Sequence, residues 1–186
     1  MNLNQMNRRG FLKASALAGG GLMLELSLPT SVLGQEFGTL VGSKELNVYV
    51  QIASDGKITI YSANPEMGQG IKTSLPMIIA EEMGAKWEDV VVLQAPINAS
   101  KYGLQGAGGS TSIPRNFDMM RQMGASAREM LIGAASESME VERQDLTAQE
   151  STVVHTSGQS LTFGELAALA VRQPIPDPAT LSYKDP

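Results

Sequence analysis

The sequence predicts an α+β fold: two β-hairpins and a short strand packed with one long and two shorter helices. Three observations predict it. Leu46, Val48, Val50 and Ile52 alternate with polar residues and are followed, across Ser54-Asp55-Gly56-Lys57, by a second alternating run from Ile58. Apolar residues recur at spacings of three and four from about Pro114 to Glu140. A second pair of short strand-like runs flanks Thr156-Ser157-Gly158-Gln159.

The elements follow in order. Residues 1–35 read as an address rather than as fold. Asn7-Arg8-Arg9-Gly10-Phe11-Leu12-Lys13 is a twin-arginine sequence, an apolar stretch runs from Ala14 to Leu28, and Val32-Leu33-Gly34 offers a cleavage site. That layout predicts export by the twin-arginine route to the periplasm, a route used largely for proteins that fold around a cofactor before crossing. Residues 36–173 form the predicted domain segment. Glu45–Ile52 is expected as one half-buried strand, paired with a strand over Ile58–Ala63. A helix is expected from Ser74 to Met83, stopped by Gly84. Asp89–Leu93 is a short buried strand. Gln94 to Ser112 is a long glycine-bearing loop, and a loop of that length is usually functional. The long helix carries Phe117, Met120, Gly124, Ala127, Leu131 and Ala134 on one face, small enough in places to let a neighbour pack close. Thr152–Val154 and Ser160–Thr162 make the second hairpin, and Phe163–Val171 is a short helix. Residues 174–186 are proline-rich and read as a linker to a C-terminal part that this sequence lacks.

Composition excludes several chemistries. The 186 residues carry a formal charge of −5 without long runs of either sign, which argues against nucleic acid as a partner. With no cysteine and one histidine, the chain can build neither a thiolate nor a multi-histidine metal site. Redox chemistry here would need a cofactor or another polypeptide.

Two glycine-rich segments stand out. Glu66-Met67-Gly68-Gln69-Gly70 lies between a strand and a helix, and Gln105-Gly106-Ala107-Gly108-Gly109-Ser110-Thr111-Ser112 precedes the long helix. Glycine lets main chain approach a ligand closely, and a helix start presents unpaired N–H groups and a positive dipole end to an anion. An ordinary turn with a serine cap is the competing reading for either segment alone. Neither segment is a P-loop, because Ile71 rather than glycine precedes Lys72-Thr73. Neither is a dinucleotide fingerprint, because Thr73 and Thr111 stand where its last glycine belongs.

Taken in order with Ala80-Glu81-Glu82 and Arg121-Gln122-Met123-Gly124-Ala125-Ser126-Ala127-Arg128, these segments resemble the molybdopterin-binding large subunit of the xanthine oxidase family, of the isoquinoline 1-oxidoreductase or aldehyde dehydrogenase type. The resemblance covers roughly residues 40–175. It implies a molybdenum–molybdopterin cofactor, in bacteria usually the cytosine dinucleotide form. It implies phosphate contacts from Met67, Gly68, Gln69 and Gly70 and from Gly109, Ser110, Thr111 and Ser112. It also implies a [2Fe-2S] small subunit, a c-type cytochrome as acceptor, and oxidation of an aldehyde or N-heterocycle with oxygen from water. The family's catalytic glutamate lies in a Gly-Val-Gly-Glu-like motif that does not occur here, so no catalytic and no metal-ligating residue is assigned. The alternatives are a non-catalytic anion-binding or assembly module, or a truncated fragment inactive alone.

The remaining candidates have plainer readings. His155 reads as a surface or locally bonded histidine, Glu66 as an exposed carboxylate, and Glu81 and Glu82 as a solvated helix face. Arg115, Arg121 and Arg128 read as exposed, with Arg115 near enough to the second glycine segment to reach a phosphate. Trp87 is expected to cap the core and the methionines to fill it. Pro76, inside the first helix, predicts that the helix starts only near Ser74 and leaves open whether Gly70 is its cap.

Overall fold

The computed structural model describes residues 44–185, all within one compact unit. The export signal read in residues 1–35 lies outside the described residues. The predicted α+β class is observed, in two small sheets and four α-helices.

The expected single strand over 45–52 is instead two. β1 (Lys44–Glu45) folds back antiparallel on β2 (Val50–Ile52), pairing Glu45 with Gln51. Asn47 makes the bend: its side-chain oxygen accepts from the amides of Tyr49 at 2.9 Å and Val50 at 3.1 Å, a local turn that competes with extended strand. β2 then pairs antiparallel with β3 (Ile58–Ser62), as the turn at 54–57 predicts. β3 pairs in parallel with β4 (Val90–Gln94), and the sheet order is β1-β2-β3-β4. All five residues of β3 are buried, as a strand covered on both faces requires.

Between β3 and β4 runs α1 (Ile71–Met83). It starts three residues earlier than expected, with Gly70 as N-cap: the amides of Thr73 and Ser74 donate to the Gly70 carbonyl at 3.1 and 3.0 Å. Pro76 forfeits the one bond its amide would make to Lys72. Burial of Ile71, Leu75 and Pro76 itself carries the first turns, since helix stability comes mostly from packing. After a one-turn helix α2 (Ala99–Tyr102), α3 runs over Ser112–Met139 and ends at Glu140 in the left-handed region, φ 56°.

α3 packs closely on α1 through Gly124, where a Cβ would lie 2.5 Å from the Ile79 carbonyl oxygen. Met120, Ala127, Leu131 and Ala134 are buried as the periodicity predicts, but Phe117 is exposed, because the buried face begins only at Met120. A second, antiparallel sheet follows, β5 (Leu146–Gln149), β6 (Thr152–His155) and β7 (Ser160–Thr162). β7 leads into α4 (Phe163–Ala170), opened by a capping box of Thr162 and Glu165. Trp87 does not cap the core: it sits on a short turn leading into β4, the last strand of its sheet, and is 38% exposed. Among the described residues no helix is long and apolar enough to cross a membrane.

Candidate functional site

Because β3 and β4 are parallel, the loops that leave their C-terminal ends lie on one edge of the sheet. One loop carries residues 63–70 into α1 and the other carries residues 95–111 through α2 into α3. The carboxyl edge of parallel strands is where open α/β sheets bind ligands. Both glycine segments therefore arrive at the same place.

Amide side chains, one of them buried, tie them together. Asn64, at the end of β3 and 2% exposed, donates to the Gly106 carbonyl at 2.8 Å. Its own oxygen lies 3.5 Å from the Asn116 amide nitrogen on α3. Gln105 donates to Pro96 at 3.0 Å and to Ala63 at 3.3 Å, and accepts from the Asn98 amide at 2.6 Å. Gln94 donates to the Ser62 carbonyl at 2.9 Å. The sequence reading missed this set. Its signal is the density of Asn and Gln between positions 94 and 116, which reads as ordinary loop polarity until the partners are visible.

The two segments differ in how their amides are used. In the first, Glu66 fills the turn that α1 opens. One carboxylate oxygen accepts from Gly68 at 2.6 Å and Gly70 at 3.1 Å, and the other from Lys72 at 2.9 Å. These bonds, that of Lys72 foremost and Gly70 next, hold the Glu66 carboxyl below its ordinary range. Gln69 completes the loop: its oxygen accepts from Met67 at 2.6 Å and its nitrogen donates to Pro65 at 2.8 Å. Gly68 and Gly70 sit at φ 97° and 82°, a region that favours glycine. The expectation of bare N–H groups here is thus corrected: a carboxylate of the same chain already takes three of them.

The second segment is open. Gly109 and Ser110 have φ 60° and 56°, and a Cβ on Gly108 would meet nothing within 4 Å. The Thr111 hydroxyl donates back to Gly108 at 2.9 Å, so it caps none of the α3 amides. The amides of Ser112 and Ile113 begin a 28-residue helix with no side-chain acceptor among the described residues, and Pro114 follows with no donor of its own. Arg115, exposed as expected, lies one residue further on.

Other expectations divide. His155 is locally bonded, its Nδ1 2.7 Å from the Ser157 hydroxyl. Glu81 is exposed, but Glu82 is buried at 3% exposure and Arg128 at 8%, and Arg121 is half-buried. The solvated-face and exposed-arginine readings of these three are corrected: Glu82 pairs with Arg121 at 2.5 Å and Arg128 at 3.3 Å. One cavity, of about 400 Å³, lies at the opposite end of β3, among Asp55, Lys57, Glu88, Asp89 and Glu150, away from both glycine segments.

On this edge, then, two glycine turns meet two helix starts, one filled by Glu66 and one open. The sequence matches the molybdopterin cofactor-binding domain over residues 24–186. The chain belongs to that family, the molybdenum-binding subunits of xanthine oxidase type. It is 34% identical over 168 residues to a membrane-bound aldehyde dehydrogenase [pyrroloquinoline-quinone] of Gluconacetobacter polyoxogenes, covering 88% of this chain and 21% of that one. It is 38% identical over 129 residues to the isoquinoline 1-oxidoreductase subunit beta of Brevundimonas diminuta, covering 66% and 16%. Among solved structures, CO dehydrogenase from Oligotropha carboxidovorans shares the fold, with a TM-score of 0.52 at 22% identity over 63% of this chain and 15% of that one. The chain thus spans about a fifth or less of the length of these relatives.

Proposed function

We propose that the chain is the N-terminal cofactor-binding segment of an exported molybdenum hydroxylase. The observation that carries this reading is the meeting of two glycine segments on one sheet edge, tied through Asn64 to Gly106, in a chain of the molybdopterin-binding family.

The residues present fit such a cofactor. A phosphate needs unpaired donors and room, and the second segment has both: the Ser112 and Ile113 amides lack a cap and Gly108 faces open space. Gly109, Ser110, Thr111 and Ser112 would hold the phosphate end, with Arg115 in reach of its charge. Met67, Gly68, Gln69 and Gly70 would make the other contacts as a loop already shaped by Glu66. No protein ligand to the metal is needed where a pterin dithiolene carries it. When bound, the molybdenum centre supplies oxygen transfer from water and takes up the electrons; this chain holds and orients it.

The names of the relatives support an aldehyde or N-heterocycle as the whole protein's substrate and a multi-subunit enzyme. To the whole protein we also assign the cytosine dinucleotide form, a [2Fe-2S] small subunit and a c-type cytochrome acceptor, on the family resemblance, and periplasmic export, on the twin-arginine sequence at residues 7–13. Full-length protein from a molybdate-fed host should contain molybdenum and release an oxidised pterin on denaturation. Finding neither would overturn the proposal. Asn64→Asp, which turns a carboxylate toward the Gly106 carbonyl, should lower pterin content while the helical signal persists.

A further inference from the structure

Two motifs that mark the family resemblance, Ala80-Glu81-Glu82 on α1 and Arg121 to Arg128 on α3, have no part in the cofactor reading. The structure joins them. Glu82 lies between Arg121 and Arg128, and the three groups turn their remaining capacity on one stretch of main chain. The Lys184 amide donates to Glu82 Oε2 at 3.1 Å. Arg128 donates to the Ser182 carbonyl and Arg121 to the Lys184 carbonyl. The Tyr183 ring lies 5.1 Å from the Arg121 guanidinium, a cation–π contact.

We propose that Glu82, Arg121 and Arg128 form a clamp for an extended chain segment, recognised through its main chain, and that residues 182–184 are its occupant. The chemistry selects that occupant. Two guanidiniums against one carboxylate leave positive charge and N–H donors in excess, which carbonyl oxygens satisfy without adding a buried charge. Arg128 also donates to the Glu82 carbonyl at 2.7 Å, so the clamp is fastened to the α1 main chain. The side chains of Ser182 and Lys184 add little. Ser182 Oγ is 3.5 Å from Arg128, and the Lys184 ammonium pairs at the surface with Glu81 at 3.4 Å. The grip is therefore indifferent to sequence at 182 and 184, prefers an aromatic residue at 183, and requires an N–H at 184.

The test is thermolysin cleavage of the full-length protein at the Thr180–Leu181 bond, which needs local release of the segment. Lys184→Pro deletes the clamped N–H while suiting an extended segment. It should be cut about tenfold faster than wild type, the scale of one lost charge-assisted bond. Glu82→Gln should behave alike, and the double variant Ser182→Ala/Lys184→Ala should be cut at the wild-type rate. Helical circular dichroism confirms that each variant is folded, and Lys184→Pro carries the test if Glu82→Gln is not. Wild-type cleavage of Lys184→Pro, or cleavage of the double alanine variant as fast as Lys184→Pro, overturns the clamp.

Discussion

Gly124 and Gly133 lie on the same helix, and alanine should act on them in opposite directions. In a helix interior, glycine to alanine gains about 1 kcal/mol from backbone entropy. At Gly124 a Cβ would sit 2.5 Å from the Ile79 carbonyl oxygen and 2.7 Å from Glu82 Cβ. Neither atom can rotate away. One is α1 main chain and the other belongs to a residue held by Arg121 and Arg128, so α1 itself must move. Overpacking a close helix contact costs roughly 1–3 kcal/mol, and the upper end applies where main chain must yield. Gly124→Ala should therefore lose about 2 kcal/mol net.

At Gly133 the nearest atoms are Gln173 Oε1 at 2.6 Å and Arg143 Nη1 at 3.1 Å, the far ends of flexible side chains. Moving them weakens, without removing, exposed pairings, Gln173 with Glu137 and Arg143 with Glu129, a combined loss of about 0–1 kcal/mol. Gly133→Ala should fall between neutral and about 1 kcal/mol more stable. Urea unfolding followed by helical circular dichroism reads both. The two variants should be separated by about 2 kcal/mol or more, about 4–8 °C in Tm for a domain of this size. A Gly124→Ala protein as stable as wild type would refute the close-packing argument.

Glu66 has a folded pKa below its ordinary value of 4.5, so the stability it contributes is present above that value and lost as pH falls through the folded one. Glu66→Gln should flatten that part of the acid unfolding profile. Burial foremost, then Tyr102, raises the Tyr49 hydroxyl to about 12, so its contribution is complete below about pH 10 and lost toward pH 12; Tyr49→Phe should remove that alkaline loss, read from unfolding midpoints across pH. Thr162→Ala breaks the capping box of α4 and should cost about 1 kcal/mol in the same urea assay.

Periodicity carried most of the fold. The α3 pattern gave its length and its small-residue face, and the Ser54–Lys57 turn gave the β2–β3 pairing. What failed were features set by partners outside the local pattern. The Asn47 bend is a side-chain-to-backbone competition that alternation of apolar residues hides. β5 joins β6 through Glu150 and Ser151, two non-glycine residues at φ 48° and 58°, so no turn residue marks that hairpin in the sequence. Glu82 and Arg128 lie on different helices, and their burial follows from pairing across the α1–α3 contact. At the site, both glycine segments could be read in the sequence. That Glu66 fills one of them could not, because a glutamate two residues before a glycine has many conformations and only the folded loop selects one.

The Glu66 contacts bear on how the two segments divide the proposed work. A phosphate arriving at the start of α1 would meet a carboxylate already holding the Gly68, Gly70 and Lys72 amides, and would have to displace it against like charge. At the start of α3 no side chain among the described residues caps the amides, and the exposed Arg115 adds attraction rather than repulsion. The same ligand thus finds a filled helix start and an open one on a single edge, fixed relative to each other by Asn64. On the proposed function, the phosphate belongs to the Gly109–Ser112 segment. The Met67–Gly70 loop, kept in shape by Glu66 and Gln69, then contributes a preset surface, so that little ordering cost remains when the cofactor binds.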